Sequence, residues 1–236
     1  MIWGENALNA NLATRSDKPV RKQQQRSLRT QQKLLDAALE AFSENGFKGT
    51  STRDIADRAG VHHPLITYHF KNKEELWRAA ADRMFRRFNA SINQAFEETE
   101  GQCPRTRIAA VIRAYVKSAA AQPELHKFII QVASYPSPRL DWLVETHLKP
   151  LFEASVLELK SLQEQGIAPP GDPALLFNMI RASSGGLLAL SNELKGTSNL
   201  DMSKQSSIDS LADMIINVFL PNEAPDNWQE QQTPAT

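Results

Sequence analysis

The sequence predicts an all-α protein with a small three-helix head and a larger helical body. Apolar residues recur every three or four positions along most of the chain, which is the spacing of amphipathic helices. Gly and Pro residues divide the chain into segments of helical length. We find neither a hairpin turn between alternating apolar residues nor an internal repeat, so strands are not expected.

The composition is typical of a folded globular protein, but the charge is unevenly divided. Of the 236 residues, 41% are hydrophobic and 23% charged, and 27 basic residues balance 27 acidic ones. Up to Arg78 the chain has 13 basic and 9 acidic residues, a net charge of +4, and the remainder has 14 and 18, a net charge of −4. A basic N-terminal part favours contact with a polyanion.

Cysteine usage and hydropathy predict a cytoplasmic protein without a membrane-spanning segment. Cys103 is the only cysteine, so no intramolecular disulfide can form and a reducing compartment is expected. Residues 1–18 lack the basic and apolar regions of a signal peptide. The longest apolar run, 174–190, is interrupted by Asn178 and Arg181 and falls short of a membrane span.

The first predicted helix follows an N-terminal arm. Residues 1–26 are polar and end in a series of positive charges, so we expect a flexible basic arm. A solvated tail without a DNA role is the alternative interpretation. From Thr30 the apolar residues take helical spacing, and Gly46 is placed to end this helix.

Two short helices with a glycine turn between them come next, which is the outline of a helix-turn-helix. Ser51 is a predicted N-cap with Asp54 in the capping-box position, and Gly60 ends the first of these helices. In the second helix, Pro64 falls in the first turn, where its missing N–H costs little. We therefore assign residues 27–76 to a DNA-binding domain.

A helix-turn-helix brings the N-terminal residues of its second helix to base edges, while neighbouring residues contact phosphates. The side chains predicted to face base edges or thymine methyl groups are His63, Pro64, Leu65 and Thr67. Those predicted to donate to phosphates are Thr52, Arg53, Tyr68, His69, Lys71 and Lys73.

Four stretches of the head stand in an order and at separations typical of one family. They are LLDAALEAFSENGF at 34–47, TSTRDIA at 50–56, AGV at 59–61 and YHFKNKEEL at 68–76. Through them residues 30–77 resemble the tetracycline-repressor (TetR) family of bacterial transcriptional regulators. The resemblance implies a homodimer that binds a palindromic operator, acts most often as a repressor, and responds to a small-molecule effector bound in the body.

The head departs from the family pattern at a few positions, and its arm gains a role from the resemblance. His62 and Pro64 stand where the turn commonly has serine and the recognition helix glycine, and Thr67 stands where many members have a DNA-contacting tyrosine. The contact at Thr67 is therefore expected to differ. The resemblance also implies that the arm, including Arg26, reaches the minor groove and adds affinity and salt dependence.

Six further helices are predicted after the helix-turn-helix, at 73–98, 105–121, 124–134, 139–165, 173–195 and 206–220. Asn72 and Asp172 are predicted N-caps, Gly196 a predicted C-cap, and Pro150 a predicted kink. Residues 77–221 are assigned to a ligand-binding and dimerisation domain, and 222–236 to a flexible C-terminal tail.

The last two predicted helices carry apolar residues at alternating three- and four-residue steps, which suits helix packing. The residues of this seam are Leu176, Ile180, Ser183, Leu187, Leu190 and Leu194 in one helix and Ile208, Leu211, Ile215 and Val218 in the other. The small residues 182–186 permit close approach of a partner backbone. The resemblance implies that these two helices form a four-helix dimer interface; packing within one chain is the alternative.

The effector pocket is expected between the helices of the body, where polar or aromatic side chains stand on apolar faces. The candidates are Tyr115, Phe128, Gln131, Trp142, His147, Phe152, Phe177, Asn178 and Arg181. His147 shares a face with leucine and valine residues, so it is either a ligand-orienting group or a core histidine with a satisfied hydrogen bond.

Other functional classes find little support in the sequence. His62, His63 and His69 cluster in the head, but adjacent histidines of a helix cannot easily share a metal ion. No nucleophile elbow, phosphate-binding glycine loop or metalloprotease motif is present. We predict no enzyme activity, no cofactor and no metal site. The alternative to a regulator is an all-α ligand-sensing or adaptor protein whose head no longer binds DNA.

Overall fold

The computed structural model describes residues 17–221. Within them the chain is helical and contains no strand, as the sequence predicted. The helices are α1 Asp17–Gly49, α2 Thr52–Ala59, α3 Pro64–His69, α4 Lys73–Glu98, α5 Pro104–Ala121, α6 Pro123–Ala133, α7 Pro138–Leu143, α8 Lys149–Glu164, α9 Pro173–Arg181, α10 Leu187–Ala189, α11 Ser191–Ser198 and α12 Gln205–Phe219. Two π-helical segments, π1 Val144–Leu148 and π2 Ala182–Gly186, connect α7 to α8 and α9 to α10.

The chain divides into two compact units after Ala81, within α4. We refer to the described residues before this division as the head and to those after it as the body. The predicted boundary lay at residue 76, just after the start of the same helix. The division falls later because α4 continues without a linker, and its first turns contribute buried residues such as Leu76 and Trp77 to the head.

The start of α1 corrects the prediction of a flexible arm. The helix begins at Asp17 rather than near Thr30, so residues 17–26 are helical, while the rest of the arm and the tail 222–236 lie outside the described residues. Gln, Arg and Lys are good helix formers, and this part of the sequence lacks the apolar stripe by which the helix was sought. Gly46 interrupts α1 as predicted, with φ 66° and ψ 177°.

Side-chain caps fix the helices of the head. The Ser51 hydroxyl accepts a hydrogen bond from the Asp54 N–H at 3.0 Å, which confirms the predicted N-cap of α2. The Asp54 carboxylate, however, pairs with Arg58 instead of reaching back to complete a capping box. The Asn72 Oδ1 accepts from the Glu75 N–H at 2.8 Å, again as predicted.

Two buried residues hold α3 in place. Ile66 and Phe70 are each 3% exposed, and Gly60 adopts the left-handed conformation, φ 62°, that turns the chain from α2 towards α3. Burying side chains of this size contributes about 1.5–3 kcal/mol each. The helix is only six residues long, so its stability depends on these contacts rather than on its own hydrogen bonds.

The core of the body lies among α5, α8, α9 and α12. Helix α12 packs on α5, and α8 packs on α9. The buried residues of this cluster are Ile112, Val116, Leu159, Leu162, Ala168, Leu176, Ile208, Ala212, Ile215, Ile216, Phe219 and Leu220. Polar contacts at its edge include the ion pair of Arg113 with Asp213 at 2.5 Å.

Both long predicted helices of the body are broken. Residues 139–165 change to a π-helical turn at π1 directly before Pro150, whose ring and missing N–H disturb the preceding turn. Residues 173–195 contain π2 and a break at Leu190. Gly196 is not the predicted C-cap: it lies inside α11, which ends instead at Asn199 with φ 57°.

Within residues 17–221 no single helix is long and apolar enough to cross a membrane. The segments Pro173–Ala189 and Ser191–Ser198 reach that length and composition only together, and they are bent by 75° at their junction.

Candidate DNA-binding surface and effector cavity

Helix α3 presents the residues predicted for base contact on its outer face. His63, Pro64 and Thr67 are exposed, and Leu65 is half-buried. Pro64 is the first helical residue, as predicted. The next residue along, Tyr68, is 74% exposed, so its hydroxyl is accessible where Thr67 replaces the tyrosine of the family pattern.

The structure brings Thr52 and His63 together, although eleven positions separate them. The Thr52 Oγ1 lies 3.0 Å from the His63 Nε2, and either atom is the donor depending on the histidine tautomer. The pair joins the N-terminus of α2 to the residue before α3. Two side chains assigned separately to phosphate and base contact therefore form one polar unit on the surface of the head.

The basic residues of the head differ in whether their charge is already paired within the protein. Arg53 is exposed and makes no ion pair or hydrogen bond within the described residues. Arg58, which the sequence analysis did not single out, donates to Glu44 at 2.8 Å and pairs with Asp54 at 3.3 Å. The hydrogen bond to Glu44 is the main cause that raises the pKa of Arg58. The charge of Arg58 is thus balanced within the head, whereas that of Arg53 faces solvent.

Lys73 has a structural contact that its sequence position did not indicate. Its Nζ donates to the Thr50 carbonyl at 2.7 Å and lies 4.3 Å from the centre of the Phe47 ring. The ammonium group therefore fixes the connection between α1 and α2 to the start of α4. Because an ammonium group has three donors, this role is compatible with the predicted phosphate contact.

His69 and Arg26 complete the predicted DNA-binding residues. His69 is half-buried, and burial lowers its pKa, which disfavours the charged form of the ring. Its ring lies edge-on to Tyr68, with 4.9 Å between centroids. Arg26 is exposed on α1 and belongs to a helix rather than to a flexible arm.

The body contains a cavity of about 420 Å³, within the usual size range of small-molecule sites. Of the predicted ligand-binding residues, Tyr115, Phe177 and Arg181 line it. A neighbouring cavity of about 230 Å³ shares Phe177 and Arg181 and adds Asn178 and Phe152. Phe152 and Phe177 contact each other edge-on, with 5.4 Å between their centroids.

Four predicted ligand-binding residues line neither of these two cavities. Gln131 is exposed on the outer side of α6, and Phe128 is fully buried in the interior. The Nε2 of His147 is hydrogen-bonded to Asp82 Oδ1 at 2.8 Å, and its ring contacts Trp142 edge-on at 5.3 Å between centroids. The structure places His147 as the alternative interpretation expected, a histidine satisfied within the body.

Sequence reasoning missed His126, which lies beside the large cavity. Its Nε2 is 3.3 Å from the Tyr115 hydroxyl. Burial lowers the pKa of His126 to about 4 and raises that of Tyr115 to about 12, so both groups are neutral at pH 7. The charge of Arg181 is a second cause of the low pKa of His126. At Tyr115 the same charge partly offsets the rise in pKa that burial causes.

The seam predicted for dimerisation belongs largely to the core of the same chain. Leu176, Ile208 and Ile215 are buried in the body cluster, and Ile180 and Leu211 pack against it. Of the remaining seam residues, Ser183 and Leu187 are half-buried, and Leu190 and Val218 are exposed. Intrachain packing explains most of this pattern, as the alternative interpretation expected.

Several apolar side chains of the same helices are exposed. Leu175 and Met179 of α9 are 65% and 56% exposed, and Met214 and Val218 of α12 are 66% and 63% exposed. Helix α12 contacts π2, which continues α9. Of these four exposed residues, only Val218 belongs to the predicted seam.

Residues 34–80 match the family model of bacterial regulatory proteins of the tetR family. The head therefore has the sequence of a tetR-family DNA-binding domain. The chain is 29% identical over 151 residues to the HTH-type transcriptional regulator RutR of Escherichia coli strain K12, a match that covers 64% of this chain and 70% of that protein.

Two further matches concern the head and the whole fold. Over 56 residues it is 36% identical to the biofilm operon icaADBC negative transcriptional regulator IcaR of Staphylococcus epidermidis, which covers 24% of this chain and 30% of that protein. The crystal structure of AibR in complex with isovaleryl coenzyme A and operator DNA has the same fold: the TM-score is 0.58 at 18% identity, with 81% of this chain and 98% of that chain covered.

These matches establish the class of function. The chain is a DNA-binding transcriptional regulator of the TetR type, with a helix-turn-helix head and a helical body. The relatives named above are transcriptional regulators.

Proposed function

We propose that this TetR-family protein is a homodimeric repressor that binds a palindromic operator in the cytoplasm and is released by a small-molecule effector. The observation that carries the proposal is the outer face of α3, where His63, Pro64, Thr67 and Tyr68 are exposed above the buried Ile66. A helix-turn-helix uses this face to read the major groove.

The proposed contacts follow from the exposure of the side chains. His63, Pro64, Leu65 and Thr67 face the bases, because they lie at and after the N-terminus of α3. The residues proposed to contact phosphates are Thr52, Arg53, Tyr68, His69, Lys73 and Arg26. Arg26 then acts from the surface of α1 rather than from a mobile segment.

The dimer interface is proposed on the exposed apolar face of α9 and α12. Apolar patches of this kind mark association surfaces in soluble proteins, and the face contains Leu175, Met179, Met214 and Val218. A twofold axis there would present two heads to the two halves of a palindrome. The predicted dimer residues Leu190 and Val218 keep their role in this arrangement, whereas Leu176, Ile208 and Ile215 support the face from within the core.

The cavity of about 420 Å³ is the proposed effector site. A protein of this fold, AibR, has been crystallised with both a coenzyme A thioester and operator DNA, which supports a body that binds ligands. An effector that releases the operator has to bind the DNA-incompetent state more tightly. Shifting the population from 1:99 to 99:1 takes about 5.5 kcal/mol of differential affinity.

The first experiment is selection of randomised duplex DNA by the full chain, followed by anisotropy titration of the enriched site at two salt concentrations. Light scattering gives the oligomeric state of the protein on its own. A palindrome bound by a dimer, with affinity that falls as salt rises, is the expected result. A folded protein that enriches no sequence at low salt would instead support the adaptor alternative.

A further inference from the structure

Arg181 occupies a position between the two cavities of the body. It is the last residue of α9, directly before π2, and its side chain lines both the cavity of about 420 Å³ and the one of about 230 Å³. Single π-helical turns within α-helices are frequent at functional sites. The guanidinium of Arg181 is therefore placed where a ligand in either cavity would meet it.

The guanidinium of Arg181 makes few hydrogen bonds within the protein. Its only described hydrogen bond runs from Nη2 to the Asn178 Oδ1 at 3.3 Å, and its buried Nε has no partner among the described residues. No ion pair with an acidic side chain is found for it within residues 17–221. The buried Nε donor is left without an acceptor, and an anion bound in the cavity would supply one.

The groups around Arg181 suit a carboxylate rather than a cation. Tyr115 lines the same cavity and keeps its proton, so its hydroxyl is available as a donor. The neutral ring of His126 adds no second positive charge.

The remaining wall of the large cavity is mostly apolar, with Asn93 and Ser155 among its polar residues. It is formed chiefly by Phe88, Ile92, Phe96, Ile108, Leu151 and Ile180. A volume of about 420 Å³ lies in the lower part of the range of about 300–1,000 Å³ that small-molecule sites occupy. Glu158 also lines the cavity, and its negative charge disfavours a second anionic group on the ligand.

We infer that the effector is an amphipathic organic acid with one anionic group, whose carboxylate pairs with Arg181 and whose apolar body fills the large cavity. The inference rests on the proposed function, since it names the chemical class of the effector. An Arg–carboxylate pair is geometrically specific because the guanidinium offers parallel N–H donors.

The test is calorimetric titration of the full chain, without DNA, with straight-chain acids of six to twelve carbons and with phenylalkanoic acids. The alcohol and the amine of each chain length serve as matched ligands. The variant is Arg181→Gln, and the control is Arg86→Gln, an exposed arginine of α4. Thermal unfolding shows whether each variant is folded. The comparison of acid with alcohol in the unaltered protein needs no variant.

We expect at least one acid to bind about tenfold more tightly, or better, than its alcohol, as a charged hydrogen bond of roughly 1.5–3 kcal/mol implies. Arg181→Gln should remove that preference while the affinity for the alcohol changes little, and Arg86→Gln should keep it. The inference is overturned if no acid binds, if the alcohol or amine binds as tightly, or if folded Arg181→Gln retains the preference.

Operator release is measured separately, by adding the same acids to the protein–DNA complex in the anisotropy assay. Preferential acid binding that leaves the operator bound would support the ligand class and contradict release by it. Absence of any DNA binding would contradict the proposed function and leave the calorimetric result on Arg181 intact.

Discussion

The imidazole ring of His126 occupies the space into which a side chain at Gly185 would extend. A Cβ atom built on Gly185 overlaps the ring at its Nε2 edge, the same edge that faces the Tyr115 hydroxyl. Glycine at this position of π2 therefore allows α6 to place a buried histidine next to the proposed effector site. Within the segment 182–186, the space beside Gly185 is thus filled by a side chain of the same chain, whereas a Cβ at Gly186 would meet no atom within 4 Å.

Gly185→Ala should destabilise the protein by about 1–3 kcal/mol, because the new methyl group forces the His126 ring out of its packed position. Gly196→Ala in α11 is the matched control. Its Cβ would meet no atom within 4 Å, and replacing a helical glycine should gain roughly 0.5–1 kcal/mol. Urea denaturation measures both changes. Equal stabilities of the two variants would contradict the packing described for Gly185.

Stability should fall as the pH is lowered through the range where His126 is protonated only in the unfolded chain. Burial lowers its pKa to about 4 in the folded protein, against about 6.5 when unfolded, so the unfolded state binds more protons between these values. Its contribution is complete above pH 6.5 and is lost as the pH falls towards 4. The expected loss from near pH 7.5 to pH 5 is about 2 kcal/mol.

His126→Gln isolates this contribution, because glutamine does not titrate. The variant should lose less of its free energy of unfolding over the same pH interval than the unaltered protein does, whatever its stability at pH 7.5. His69→Gln is a useful comparison, since burial also lowers the pKa of His69. A pH dependence unchanged by His126→Gln would show that other groups cause the loss.

Local chemistry made the helix-turn-helix predictable, while features set by packing escaped prediction. Ser51 acts through its own hydroxyl and Gly60 and Pro64 through their own backbone geometry, and each has the predicted role. The start of α1 was missed because a polar helix has no apolar stripe to reveal it. Pro150 indicated an irregularity near π1, whereas nothing in the spacing of residues indicates the extra residue in the turn at π2.

The predicted seam illustrates a limit of periodicity. Leu176, Ile208 and Ile215 show correctly which face of each helix is apolar, but the spacing does not say whether the partner helix belongs to the same chain. The ligand-binding residues show the same limit. Phe177 and Arg181 lie on the cavity wall, as predicted. Gln131 was predicted to stand on an apolar face, but it is exposed on the surface of α6.

Arg53→Ala and Lys73→Ala should both weaken DNA binding, but only the second should alter the stability of the head. Loss of one phosphate contact lowers affinity for all duplexes alike and reduces the salt slope by about 1. Arg53 is exposed without a described partner, so its removal leaves the fold unchanged. Removal of Lys73 also leaves the Thr50 carbonyl without its donor at 2.7 Å, which should cost about 1–3 kcal/mol.

Anisotropy titrations at two salt concentrations and urea denaturation separate the two effects. Arg58→Ala is the control, because its charge is already paired with Glu44 and should add little to the salt slope. An Arg53→Ala protein with unaltered affinity would exclude this residue from the DNA-binding surface.

Met214→Glu and Val218→Glu should each convert the proposed dimer into a monomer at micromolar concentration. Both side chains are mostly exposed on α12, so a glutamate at either place is tolerated by the isolated chain but unpaired and desolvated in an apolar interface. Tyr135→Glu, at a position 78% exposed in the turn between α6 and α7, controls for added charge on an exposed apolar residue. Light scattering gives the mass, and anisotropy gives the operator affinity.

The two measurements should change together if the dimer reads a palindrome. A monomer loses the second half-site, so the Met214→Glu and Val218→Glu proteins should bind the full operator no more tightly than a single half-site, whereas Tyr135→Glu should retain both dimer and affinity. Dimers that persist in both glutamate variants would place the interface elsewhere. Monomers that still bind the full operator with unaltered affinity would show that DNA recognition does not depend on this face.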